Sequence, residues 1–403
     1  MDFNLAKKLH RPSDTKILML VMDGLGGLPD PGTGRSELET AHTQNLDGLA
    51  RQSSLGLSIP VGHGITPGSG PGHLALFGYD PLEYQIGRGV LEATGVNFDL
   101  TVRDVAARGN FCTLDAEGRI IDRRAGRLET DQAVTMVKML REINPIDGVS
   151  FFLEPVREHR FVLVLRGDDL SQSISETDPQ STDAKPLSSR PLDGSSEAKR
   201  TARIVNSYTE EASRLLANFV PANGMVLRGF SMITPLPQLA DVWGLHSASS
   251  AIYPMYRGLA QMTGMDPLPS GTSFSEQVNL VRDHWDAYDY IFMHYKYTDS
   301  AGEDGDFEEK VRRLEQADIV LPEVLELKPD VLIITGDHST PATMAGHSWH
   351  PVPFLLYSRW AIGRNSATFD ELSCAQGSLG TFPAKEALPL AMAHAGRLAK
   401  FGA

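Results

Sequence analysis

The chain has 403 residues, of which 22% are charged and 41% hydrophobic, with a net charge of −14 and two cysteines, Cys112 and Cys374, outside any CxxC pair. At about 100 to 200 residues per domain this length calls for two domains. An acidic balance without a basic block excludes a nucleic-acid or anionic-membrane surface, and the cysteine usage speaks for a reducing compartment and against a disulfide scaffold. The opening MDFNLAKKLHRPSDTK is polar, and the apolar run after it is far too short to span a bilayer. No signal peptide or membrane segment is expected, hence a cytoplasmic protein.

The first element is that run, Ile17 to Met22 (ILMLVM), which reads as a buried parallel strand and stops at Asp23. Glycines 24, 26 and 27 then turn the backbone sharply and leave the Asp23 carboxylate uncovered. An Asp-Gly pair is also a common turn element, so capping a turn is the alternative role. Apolar residues Leu46, Leu49 and Ala50 recur at helical spacing within Thr43 to Arg51, a covering helix. From Gly62 to Pro81, GHGITPGSGPGHLALFGYDP carries Ser69 where a Gly/Pro-rich loop runs into a helix start. Unpaired backbone N–H groups and the positive end of the helix dipole meet there, a place suited to a phosphoryl group. The plainer reading is a flexible loop.

From about Asp104 the character changes. VAARGNFCTLDAEGRIIDRRAGR holds short alternating segments around a turn at Asp115 to Gly118, Thr130 to Ile143 reads as an amphipathic helix, and Ser150 to Arg166 holds two strands around PVREHR. The polar tract from Gly167 to Glu197 is expected to be a mobile surface excursion, and Lys199 to Phe219 is helical. This section offers Arg108, Arg123, Arg124, Arg127, Arg160 and Arg257. Guanidinium forks match carboxylate and phosphate oxygens bidentately, whereas most surface arginines are merely solvated. DRRAGR is the best-placed group and Arg160 the weakest.

The returning half repeats the strand-then-ligand device twice. Tyr290 to Met293 leads through His294 and Lys296 to Asp299, with Glu303 four positions on; a helix starting near Asp299 puts both carboxylates on one face, and an acid-rich loop solvating a turn is the alternative. Val331 to Thr340, VLIITGDHST, ends at the adjacent Asp337 and His338; HSWHPVP then supplies His347 and His350 ahead of a strand at Val352 to Tyr357. In open α/β sheets ligands sit beyond the carboxyl ends of strands, so neighbouring strands of this kind would gather hard oxygen and nitrogen donors around one point. Isolated, each motif has a bland reading; a satisfied histidine beside a turn aspartate is one.

Taken in order, DGLGG, PGSGPGHLALFGYDP, GRGVLEATG, DRRAGR, TDSAGEDGD, GDHSTP and HSWHPVP resemble the archaeal-type cofactor-independent phosphoglycerate mutases of the alkaline phosphatase superfamily, over essentially the whole chain. The resemblance implies an α/β core with a central, mostly parallel sheet flanked by helices (1–104 and 281–403) and an inserted, smaller α+β substrate-clamping domain (105–280). It implies interconversion of 3-phosphoglycerate and 2-phosphoglycerate in glycolysis and gluconeogenesis, through a phosphoserine on Ser69 and without a bisphosphoglycerate cofactor. Two divalent metal ions are implied, one among Asp23, Ser69, Asp337 and His338, the other among Asp299, Glu303 and His347. The family pattern usually has His where Glu303 stands; a charged hard donor there tilts the preference to Mn²⁺ or Mg²⁺, with Zn²⁺ or Co²⁺ as alternatives. Substrate contacts are expected from Arg108, Arg124, Arg127, Arg257 and Lys296. A metal-dependent phosphomonoester hydrolase or other phosphomutase on the same core is the nearest alternative, and a catalytically silent metal-binding relative the second. The oligomeric state stays open.

Overall fold

A computed structural model of the chain describes residues 1–363 and 367–402. Thirteen strands are present among the described residues: β1 (Ile17–Met22) and β2 (Ser53–Ile59), then β3 (Asp104–Leu114), β4 (Ile120–Asp122), β5 (Ser150–Arg157), β6 (Arg160–Arg166) and β7 (Gly224–Ser231), and finally β8 (Ser247–Ala251), β9 (Asp266–Pro267), β10 (Tyr290–Tyr295), β11 (Val331–Thr335), β12 (Val352–Ser358) and β13 (Gly380–Pro383). They fall into two compact units, Met1–Gln85 with Leu236–Ala403, and Ile86–Pro235.

The first unit is built on an eight-stranded sheet in the order β13-β2-β12-β11-β1-β10-β8-β9. Five of its seven pairings are parallel, with β12 antiparallel to both β11 and β2. Every residue of β1, β10 and β11 is buried, which is why these strands read as unbroken apolar runs rather than as an alternation: both sheet faces are covered. Leu18, Leu20 and Met22 pack with Leu46, Leu49, Val278, Val281, Leu314 and Leu321 from helices Gln44–Ala50, Phe274–His284 and Phe307–Leu325. On the opposite face Phe292 meets His73 and Phe77, at and just beyond the helix Ser69–Leu76. The mostly parallel α/β core expected from the sequence is the one observed. None of the described helices is long and apolar enough to cross a membrane.

The second unit carries a five-stranded antiparallel sheet, β4-β3-β6-β5 with β7 on β3, and helices Thr130–Leu140 and Ser196–Leu216 share its core. Its borders differ from the expected 105 and 280. Residues 86–104 join it because helix Arg88–Gly95 packs on β3 and β7, with Val90 N donating to Ser231 Oγ at 3.0 Å. Residues 236–280 belong to the first unit because β8 pairs in parallel with β10. The tract from Gly167 to Glu197, expected as a loose excursion, is instead laced down. Thr177 N donates to Leu227 O, Ile120 N to Ala184 O, and Asn206 exchanges two bonds with Ser189. Leu170 and Ile174 also enter the unit's core, so the tract's polar composition misled.

Candidate active site

β1 runs between β10 and β11, with Met22 level with Tyr295 and Val21 level with Thr335. Three strand ends therefore release their chains at one edge of the sheet, and Asp23, Lys296, Asp299, Asp337 and His338 follow within a few residues. Asp23, Asp337 and His338 are wholly buried and Asp299 nearly so. Gly24 adopts φ +64°, and a side chain there would press on Asp299 Cβ at 2.9 Å, so glycine lets the two acids approach. Ser69 opens its helix and sets its Oγ 3.2 Å from His338 Nε2. Gly72, one turn on, lies so close to the Asp337 carbonyl that a Cβ would come within 2.2 Å of it. The Gly-rich composition of the Ser69 segment thus serves contact with the Asp337 loop.

His338 Nε2 is 3.3 Å from Asp23 Oδ1, 3.2 Å from Asp337 Oδ2 and 4.0 Å from Asp299 Oδ1. Lys296 Nζ lies 3.0 Å from Asp23 Oδ2 and in contact with Asp299 Oδ2. Burial alone would raise the Asp23 carboxyl, but Lys296, with the His294 and His338 imidazoles 3.2 and 3.3 Å away, holds it well below the usual carboxylate range. Asp337 is likewise lowered: burial and Asp23 oppose ionisation, and His338 and His73 outweigh them. Asp299 is raised, by burial and then by Asp23, with Lys296 and His338 only partly offsetting. Lys296 itself is raised despite burial, chiefly by Asp23. One ammonium, paired with Asp23 and Asp299 of the three buried acids, leaves negative charge in excess, the electrostatic signature of a place for cations.

The donors fit divalent metal. Among the described residues, Asp23, Asp337 and His338 form one set, and Asp299, His338 and His347 another, each with ligand atoms within 4.8 Å of one another. Asp23 Oδ1 and Asp337 Oδ2 are buried against imidazole nitrogens, His338 Nε2 at 3.3 and 3.2 Å, yet neither has a well-aligned hydrogen bond, and buried carboxylate oxygens are rarely left so. Carboxylate oxygens with imidazole nitrogens suit Mn²⁺, Mg²⁺ or Zn²⁺. Glu303 is half-exposed at the end of helix Tyr297–Glu303 and faces His347, with Oε1 3.6 Å from Nε2. Burial would lower the His347 imidazole, yet Glu303, the Pro67 carbonyl and Asp299 raise it to about 9. His350 bonds Ser348 Oγ at 3.0 Å.

Several contributors were not singled out from the sequence. His73, fully buried, points Nδ1 at Asp337 Oδ2 from 3.1 Å; its position four residues after Ser69, on the same helical face, was the available signal. Tyr256 donates its hydroxyl to Asp23 Oδ2 at 2.5 Å and stacks on His294. Thr340 Oγ1 donates to Asp299 Oδ1 at 2.8 Å. Neither residue carries a mark of its role in a single sequence.

The second unit gathers cations. Arg108 on β3 stands directly opposite Arg228 on β7, and Arg160 on β6 opposite Asn110, although like charges facing each other across strands are unfavourable. Burial, with Arg160, Arg88 and Arg228 nearby and Glu92 alone opposing, brings Arg108 down to about 10. Burial and then Arg160, Arg108 and Arg124 press the His159 imidazole down to about 4. Arg108 Nε and Arg228 Nε are buried without acceptors. Arg123 pairs with Asp178 at 3.0 Å, and Arg127 is exposed in the same turn. Arg257 lies elsewhere, on helix Pro254–Met262 of the first unit. Neither Arg88, which stands in GRGVLEATG, nor Arg228 was singled out from the sequence.

Fold and donor set define a class: an α/β protein whose parallel strand ends gather hard ligands for divalent cations beside a serine hydroxyl. The sequence profile of the 2,3-bisphosphoglycerate-independent phosphoglycerate mutases matches residues 50–221. A probable 2,3-bisphosphoglycerate-independent phosphoglycerate mutase of Thermotoga neapolitana is 46% identical over 397 residues, 98% of either chain. Among solved structures, a Pyrococcus horikoshii protein superposes with a TM-score of 0.83 at 27% identity, covering 96% of this chain and 99% of that one. The cofactor-independent phosphoglycerate mutase from Thermoplasma acidophilum gives 0.70 at 29% identity, covering 95% and 100%. The chain belongs to the 2,3-bisphosphoglycerate-independent phosphoglycerate mutase family.

Proposed function

We propose that this protein interconverts 3-phosphoglycerate and 2-phosphoglycerate by passing the phosphoryl group through Ser69. The observation that carries the reading is the Ser69 hydroxyl set 3.2 Å from His338 Nε2, at the rim of a buried, under-neutralised acid cluster. Asp23, Asp337 and His338, with Ser69, would hold one divalent ion, and Asp299, Glu303 and His347 the other, Mn²⁺ or Mg²⁺ in preference to Zn²⁺. When bound, such a pair favours the serine alkoxide and neutralises phosphoryl oxygens. The Ser69 hydroxyl gives up its proton as Oγ attacks phosphorus; the Ser69 O–P bond forms as the glycerate O–P bond breaks, and the departing glycerate oxygen takes up a proton. After glycerate turns over, its other hydroxyl loses a proton and attacks the phosphoserine; the Ser69 O–P bond breaks and Ser69 Oγ takes a proton back. Lys296 would offset charge on the non-bridging oxygens.

The second unit's guanidiniums, Arg88, Arg108, Arg124, Arg160 and Arg228, have the chemistry to bind the carboxylate of the substrate. Their role in this reading is to retain glycerate while Ser69 is phosphorylated, since loss of glycerate or entry of water would turn a mutase into a phosphatase. The reading is tested by quenching the enzyme with 3-phosphoglycerate and Mn²⁺ and mapping phosphorylation by mass spectrometry. A single phosphoryl group on Ser69 is expected; turnover without it, or with phosphate on another residue, removes the Ser69 route.

A further inference from the structure

Beneath the ligand cluster lies a second group of buried charges that the chemistry above does not use. Lys310, on the helix Phe307–Leu325, and Glu37, on the short helix Glu37–Thr40, are both wholly buried, with Nζ 3.7 Å from Oε1. Burial pushes the Lys310 ammonium down, and Glu37 and Glu371 only partly restore it. A well-packed apolar pair of similar volume is often as stable as a buried ion pair or more so. The informative question is therefore what the ammonium holds.

Lys310 Nζ donates to the carbonyls of Gly26 at 3.0 Å and Thr340 at 2.8 Å. Gly26 is three residues past Asp23, and Thr340 is two past His338. The carboxylates hold the same two loops by their amides: Glu37 Oε1 accepts from Ala342 N at 2.7 Å, and Glu371 Oε1 from Gly27 N at 2.8 Å. The loops also meet directly, Thr340 N donating to Gly26 O at 3.0 Å. From Thr340 the connection reaches the ligands. Its hydroxyl donates to Asp299 Oδ1 and lies 2.9 Å from His338 Nδ1. With its one hydrogen given to Asp299, Thr340 Oγ1 accepts from His338 Nδ1–H, so Nε2 is the atom turned towards Asp23, Asp337 and Ser69 and the one that would give its lone pair to a cation.

We propose that Lys310 is a positioning residue: its ammonium ties the loop bearing Asp23 to the loop bearing Asp337 and His338, and through Thr340 fixes Asp299 and His338, so that both donor sets keep the spacing a pair of divalent cations requires. The inference rests on the two-cation reading above and adds to it the device that holds the ligand loops.

The test combines Mn²⁺ binding to the full chain, read by electron paramagnetic resonance without substrate, with steady-state kinetics on 3-phosphoglycerate. Lys310→Met is expected to weaken Mn²⁺ binding about 10- to 100-fold, with kcat falling by a similar factor and KM changing less than about twofold. Lys310→Arg, which keeps charge and donors, should recover part of the loss. Because Lys310→Met leaves Glu37 buried without its counter-ion, two further variants, Lys310→Met/Glu37→Gln and Thr340→Val, probe the same link without a lone buried charge. Each should also weaken Mn²⁺ binding, Thr340→Val by about tenfold. Folded variants with the wild-type unfolding midpoint in chelator, wild-type Mn²⁺ affinity and unchanged kcat would overturn the proposal. Mn²⁺ binding is read without turnover, so a wild-type protein that binds Mn²⁺ but makes no 2-phosphoglycerate would sink the mutase reading and leave this one standing.

Discussion

The two units bury opposite charges. The first drives Asp23, Asp299 and Asp337 into its interior with Lys296 shared between Asp23 and Asp299, while the second sets Arg108 opposite Arg228 on adjacent strands with Glu92 as the buried counter-charge. Neither arrangement is a good way to stabilise a fold, because unpaired buried charge costs several kcal/mol per ion. Each is what a site for the opposite charge looks like before that charge arrives: cations for the first unit, an anion for the second. On the proposed reading the difference separates two tasks, activating a serine for phosphoryl transfer and holding an acid.

That division can be broken or sharpened by variants confined to one side. The largest effect belongs to the first unit. Ser69→Ala should fold and bind Mn²⁺ yet lose turnover by about 10⁵-fold or more, as removal of a covalent nucleophile does; retained turnover in a 3-phosphoglycerate assay would dissolve the assignment. On the other side, Arg108→Met should raise KM for phosphoglycerate by about 100-fold, the worth of a charge-assisted contact, while titration shows Mn²⁺ affinity unchanged. It should also cost roughly 3 kcal/mol in denaturant unfolding, because Glu92 is left buried without its partner.

A smaller effect is expected at Glu303, whose carboxylate reaches His347 from a half-exposed position. Glu303→Ala should weaken Mn²⁺ binding by about tenfold, and a variant with full metal content and full turnover would take Glu303 out of the site. The smallest is a pH effect in the second unit. His159 is held at about 4, first by burial and then by the arginines around it, below its ordinary 6.5. The fold therefore favours the neutral ring: this contribution is complete above pH 6.5 and is lost as pH falls towards 4. His159→Gln should flatten the fall in unfolding midpoint over that window, and an unchanged profile would contradict the buried, neutral imidazole.

Much of the first unit was legible because its physics is local. Strands buried on both faces are written as continuous apolar runs, and each of Asp23, Asp299 and Asp337 follows such a run by a few residues, so adjacency of β1, β10 and β11 was enough to bring them together. The residues that orient them were not legible. Tyr256 and Thr340 reach Asp23 and Asp299 by hydroxyl bonds made across long sequence separations, and Lys310 looks like any lysine on an amphipathic helix. In the second unit composition misled: a tract rich in Ser, Asp and Pro read as loose, yet backbone and side-chain bonds to β7 and neighbouring segments fix it and deliver Asp178 to Arg123. The borders slipped because the shift in character at Asp104 marks the start of β3, whereas the unit begins with the helix that packs on it.

The most direct test follows the phosphorus resonance of 3-phosphoglycerate in the presence of wild-type protein and Mn²⁺, with no bisphosphoglycerate added. The account predicts conversion to 2-phosphoglycerate until the two isomers reach equilibrium, with little inorganic phosphate. Accumulation of inorganic phosphate in place of 2-phosphoglycerate, or an unchanged 3-phosphoglycerate signal from metal-loaded protein, would contradict it.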